Sequence, residues 1–74
     1  MAQEVNIDSK VKVKINGEVR EFQVVGSADV DAALGRISYL SPLGETLLGK
    51  RVGDNFEFMS PSGKILFGQV LEIN

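Results

Sequence analysis

From Lys10 to Ile15 the chain alternates strictly between charge and hydrocarbon, KVKVKI. Val11, Val13 and Ile15 share one side and Lys10, Lys12 and Lys14 the other, which is the period of a half-buried β-strand. Asn16-Gly17 follows at once, and both residues tolerate the positive φ of a tight type I′ turn. Glu18 to Val25 (EVREFQVV) then supplies the returning strand, so the first 25 residues resolve into a hairpin. In that second strand Phe22 and Val24 share a parity that Val19 and Val25 do not. A bulge, or a strand covered on both faces, is expected there. Residues 1–9 are polar and unpatterned and are expected to be flexible.

Beyond the hairpin the punctuation changes. Gly26 to Gly35 (GSADVDAALG) reads as a loop with room for a helical turn. Arg36 to Leu40 is a short strand. Ser41-Pro42 is a helix-start signal, a serine oxygen to cap free N–H groups and a proline where no N–H is needed. The helix LGETLL places Leu43 and Leu47 four apart on one face, Gly49 stops it in the left-handed conformation, and Lys50 and Arg51 sit beyond the negative end of its dipole. NFEFM and KILFGQVLEI are further strands joined by the turn SPSG, and Gly68 marks a bulge or a close approach of another element. The order β-β-loop-β-α-β-β predicts an α+β domain, an antiparallel twisted sheet around one short helix. Leu43, Leu47, Leu48, Phe56, Phe58 and Phe67 are its expected core.

With 74 residues, one core is all the chain can build, and it has neither disulfide nor zinc to brace it, since Cys and His are both absent. The same absences remove the commonest general base near neutral pH, any thiolate nucleophile and the usual zinc ligands. No catalytic, cofactor-binding or metal-binding residue is assigned, and the chain is read as not an enzyme. Asp29 and Asp31 lack the further oxygen donors of a calcium loop, and the glycines form no nucleotide-binding pattern. The lysine stripe of the first strand reads as solvated edge charge, not a nucleic-acid track, because the net charge is −2. No window is long and apolar enough to span a membrane and MAQEVNIDSK lacks a signal-peptide core, so a soluble cytoplasmic protein is expected. Ser38 to Gly53 fits the core reading least well: Tyr39, Leu40 and Leu43 gather apolar surface around a proline at a strand-to-helix junction.

ISYLSPLGETLLGKRVGD and SPSGKILFGQVLEI resemble the C-terminal domain of the GreA/GreB family of bacterial transcription elongation factors. The specific matches are Ile37-Ser38, Ser41-Pro42, Leu48-Gly49-Lys50 with Gly53-Asp54, and the Pro61/Gly63 turn. The family resemblance implies an FKBP-like fold, and the Rnk-type regulators share the domain type. It also implies docking on RNA polymerase, at a coiled coil of the β′ subunit on the rim of the secondary channel. The family's separate N-terminal helical hairpin, which carries the acids that stimulate transcript cleavage, has no counterpart in these residues, so a docking module without that stimulus is expected.

Carried over by position, the family's polymerase-contacting turn, an acidic or amide residue followed by Ser-Pro, falls on Leu40, Ser41 and Pro42. Leu40 departs from the pattern and favours an apolar contact beside Tyr39. The expected partner-binding residues are therefore Tyr39, Leu40, Ser41, Pro42 and Leu43, on a monomer with no cofactor and no specific nucleic-acid contact. Two other readings stand beside this one, an FKBP-like prolyl isomerase and an interaction domain that has lost the polymerase as partner.

Overall fold

The computed structural model describes residues 4–74. Five strands, β1 (Lys10–Ile15), β2 (Glu18–Val25), β3 (Arg36–Ser38), β4 (Asn55–Met59) and β5 (Ile65–Ile73), form one sheet in the order β3-β2-β1-β5-β4. A single helix, α1 (Pro42–Leu47), links β3 to β4. The α+β class and the element order are those read from the sequence.

The alternation in β1 sorts its side chains as expected. Val11, Val13 and Ile15 are buried, while Lys10 and Lys14 face solvent. Asn16 and Gly17 have φ of 50° and 83°, the left-handed pair that lets Ile15 and Glu18 close the hairpin. The β1–β2 register runs without a slip, and Val24 and Val25 are both buried, so β2 is covered on both faces at its end and carries no bulge. Val24 joins Val11, Val13, Leu47, Phe56 and Val70 in the core between sheet and helix.

β3 departs from the expected antiparallel sheet by running parallel to β2, Gln23 to Val25 against Arg36 to Ser38. The link Gly26–Gly35 is long enough to double back through two single turns of 3-10 helix, Ser27–Asp29 and Ala32–Leu34, and re-enter beside β2 in the same direction. Gly35 completes that return at φ 72°, where a Cβ would lie 2.9 Å from the Glu21 carbonyl oxygen.

The segment before β1 also differs from expectation. Residues 1–3 lie outside the described residues, but 4–9 are tied down. Val5 is only 1% exposed within the core, and its backbone bonds to both sides of the turn after α1, donating to Lys50 and accepting from Gly49. Val5 and Ile7 are too few to establish a period, and Ile7 is 46% exposed, so no pattern in the residues marks Val5 as an anchor.

Gly68 marks a close approach, not a bulge. It faces Phe56 across β4–β5, and a Cβ there would come 2.5 Å from the Phe56 ring and 2.9 Å from the Lys14 carbonyl oxygen. The irregularity in β5 falls at Leu71, the extra residue where the register slips between Lys12 and Val13. Phe67, expected in the core, is 61% exposed, because its parity puts it with Ile65 and Gln69 on the outer face, opposite Leu66 and Val70. ILFGQVL is apolar at both parities, so alternation could not assign a face.

Two outcomes test this packing. Val5→Ala removes two buried carbons and is expected to lower unfolding free energy by about 2 kcal/mol in urea titration; an unchanged midpoint would mean that the segment does not hold the core. Gly68→Ala is expected to cost about 1–3 kcal/mol by overpacking against Phe56. Combining it with Phe56→Leu should then cost less than the sum of the two single changes.

Candidate functional site

The junction between β3 and α1 is built by two serines. Tyr39 N–H donates to the Val25 carbonyl, the last link of the β2–β3 edge, and the chain then turns sharply. The Ser38 carbonyl accepts from both the Ser41 amide, at 3.0 Å, and the Ser41 hydroxyl, at 2.6 Å. The Ser38 hydroxyl oxygen accepts from the Leu40 amide at 3.0 Å. Ser41 Oγ in turn accepts from Gly44 N–H at 3.1 Å, so one hydroxyl closes the turn and caps the helix. Pro42 occupies the first helical position, where no N–H is needed. The turn is tight enough that a Cβ on Gly44 would lie 2.0 Å from the Ser38 carbonyl oxygen. A larger residue at 44 would force the helix off the corner.

This geometry separates the five residues expected to bind a partner. Leu40, 65% exposed, and Tyr39, 38% exposed, project from the turn, and Pro42 is exposed beside them. Ser41 is half-buried with its hydroxyl fully engaged, so it shapes the corner instead of offering a free polar group. Leu43 points the other way and packs against the core. Between them opens a cavity of about 250 Å³ lined by Ile37, Ser41, Pro42, Leu43, Phe58, Met59 and Pro61. The lining is hydrocarbon apart from the occupied Ser41 hydroxyl. Its volume is below the ~300–1,000 Å³ of small-molecule sites, which suits an inserted side chain better than a free ligand.

Ile37, Phe58, Met59 and Pro61 were missed by sequence reasoning. Ile37 reaches the corner from β3 a few residues upstream, but Phe58, Met59 and Pro61 reach it from the end of β4 and the turn beyond, a distance in sequence that no local pattern spans. The Ser60-Pro61 turn was visible, but nothing in it says which element it faces.

A second cleft, of about 370 Å³, lies on the other side of Leu43 and Phe58 and extends to Phe22 and the Glu18–Arg20 ion pair. Of the acids considered for a metal, Asp31 caps a 3-10 turn by accepting from Ala33 N–H at 3.1 Å, and Asp29 is exposed in the turn before it. Among the described residues no three His, Cys, Asp or Glu side chains gather to hold an ion. In the lysine stripe, Lys12 is engaged by Glu72 at 2.9 Å, a hydrogen bond and charge that raise the Lys12 ammonium above its ordinary pKa. No helix among the described residues is long and apolar enough to cross a membrane.

Comparison with known proteins supplies the context for this corner. The family model described as transcription elongation factor, GreA/GreB, C-term matches residues 1–74. Transcription elongation factor GreA of Thermomicrobium roseum is 33% identical over 93% of this chain and 44% of its own length. Among solved structures, the transcription elongation factor GreA/GreB from Nitrosomonas europaea superposes with a TM-score of 0.81 at 31% identity, covering 97% of this chain and 61% of that one. Gfh1 of Thermus aquaticus gives a TM-score of 0.81 at 34% identity, covering 95% of this chain and 47% of that one. The chain spans less than half the length of the curated relatives it matches, 27% to 44% for the first three. With the match running through the β3–α1 corner to the last strand, the chain belongs to the GreA/GreB transcription elongation factor family, over the family's C-terminal domain.

Proposed function

We propose that this domain is the RNA polymerase-docking module of a Gre-type elongation factor, a binding module and not a catalyst. It grips the coiled coil of the β′ subunit at the rim of the secondary channel through Tyr39, Leu40 and Pro42, with Ser41 and Leu43 holding the corner in shape. The observation that carries this reading is the doubly bonded Ser38 carbonyl, which fixes an exposed leucine and an exposed proline beside an apolar cavity in the folded domain. Preorganisation of this kind lowers the ordering cost of association.

Leu40 stands where the family carries an acid or amide, and its exposed side chain supports an apolar contact in place of a polar one. Tyr39 adds a large amphipathic ring, a residue type enriched at binding hot spots. The domain docks as a monomer in the cytoplasm and contributes no cleavage stimulus through these residues. The relatives that match are elongation factors, which gives the prolyl-isomerase alternative no support.

The test is an NMR titration of the labelled chain with the isolated β′ rim coiled coil of its own polymerase. Shifts are expected at Tyr39 to Leu43 and around the cavity at Ile37, Met59 and Pro61. Leu40→Ala should weaken binding roughly tenfold while leaving the fold cooperative, as removal of an exposed interface anchor does. Ser41→Ala, in contrast, should cost about 1 kcal/mol of stability through loss of the cap, in addition to weakening binding. A folded spectrum with no shifts at high micromolar coiled coil would sink the docking reading.

A further inference from the structure

The face of the sheet that points away from α1 carries an apolar patch at its β4–β5 end. Met59 and Ile65 face each other across these strands and are 55% and 49% exposed, and Phe67 lies opposite Glu57. Glu57 is exposed in the middle of this patch, and none of the ion pairs among the described residues involves it.

β4 is also an open edge. It ends the strand order, and among the described residues the backbone of Asn55–Met59 makes no hydrogen bond outside its ladder with β5. Which groups are free follows from the bonds that bracket the ladder. Val70 N–H donates to Asp54 and Ser60 N–H to Lys64, so the even-numbered residues face β5. By antiparallel alternation the N–H and C=O groups of Asn55, Glu57 and Met59 point out to the empty side. Their side chains share the outer face with Phe67.

We propose that this edge is a second docking surface, distinct from the β3–α1 corner, which adds an extended segment of a partner protein as a sixth strand and pairs Glu57 with a lysine or arginine of that segment. Strand addition draws its affinity from the outward backbone groups and its selectivity from alternate side chains. The outer face asks for a basic residue opposite Glu57 and an apolar one two positions along, opposite Met59. A second copy of this chain does not meet that requirement. The two-fold antiparallel register that uses all three outward residues sets Glu57 directly against Glu57, and like charges placed so are destabilising.

The test is a titration of the 15N-labelled chain with the capped heptapeptide Thr-Val-Thr-Lys-Thr-Val-Thr and with its counterpart carrying Glu in place of Lys. The expected result is slowed amide exchange at Asn55, Glu57 and Met59 but not at Phe56 and Phe58. The lysine peptide should bind roughly fivefold tighter at low salt, the scale of one exposed ion pair. The exposed substitution Glu57→Lys should reverse the preference between the two peptides. Equal binding of both, no protection at millimolar peptide, or shifts centred on Tyr39 to Leu43 would overturn the proposal and leave Glu57 as a charge that only guards the edge. Protection of the same amides that grows with protein concentration without peptide would overturn it in favour of a second copy.

Discussion

A six-residue helix is too short to hold its shape in water unaided, and here it is the only α-helix among the described residues to cover one side of a five-stranded sheet. Its stability therefore comes from both of its ends. At the start, Ser41 caps it and Gly44 lets it press onto the Ser38 carbonyl; at the finish, Val5 reaches in from ahead of β1 and bonds to Gly49 and Lys50. Leu47, fully buried, joins the two anchorages to the valines of β1 and β2. Removal of either anchorage would expose the same core.

The exposed corner proposed for docking is a by-product of this fastening. Because the Ser38 carbonyl and the Ser41 hydroxyl are committed to holding the helix start, Tyr39 and Leu40 have no inward course and are driven out. Buried and exposed positions thus fall on neighbouring residues, serines inward and the apolar pair outward. The cavity beside them exists because the curled sheet brings the end of β4 to the same helix turn. The cavity and the free β4 edge consequently adjoin at the end of β4, where Met59 borders the cavity and its backbone groups face outward.

Much of this architecture was legible in the residues, for reasons that can be named. The hairpin, the helix cap and the left-handed stops depend on two to four neighbouring residues, and physical constraints at that range leave few solutions. What was illegible depends on distant partners. Parallel β3 is decided by how far the Gly26–Gly35 link doubles back, and the exposure of Phe67 by which parity of an all-apolar strand faces the core. The burial of Val5 is decided by where the segment meets α1. At the corner, the sequence placed the five residues at one strand-to-helix junction but could not divide them into those that build it and those that project from it.

The sequence by itself determined the local elements, the α+β class and the position of the strand-to-helix corner, because alternation, caps and positive-φ turns act through the nearest peptide groups. Tertiary structure alone decided the strand directions, the face of Phe67, the anchoring of Val5 and the completion of the apolar cavity by Phe58, Met59 and Pro61. These outcomes require chain segments tens of residues apart to compete for the same buried surface, and that competition is settled only when the whole core closes.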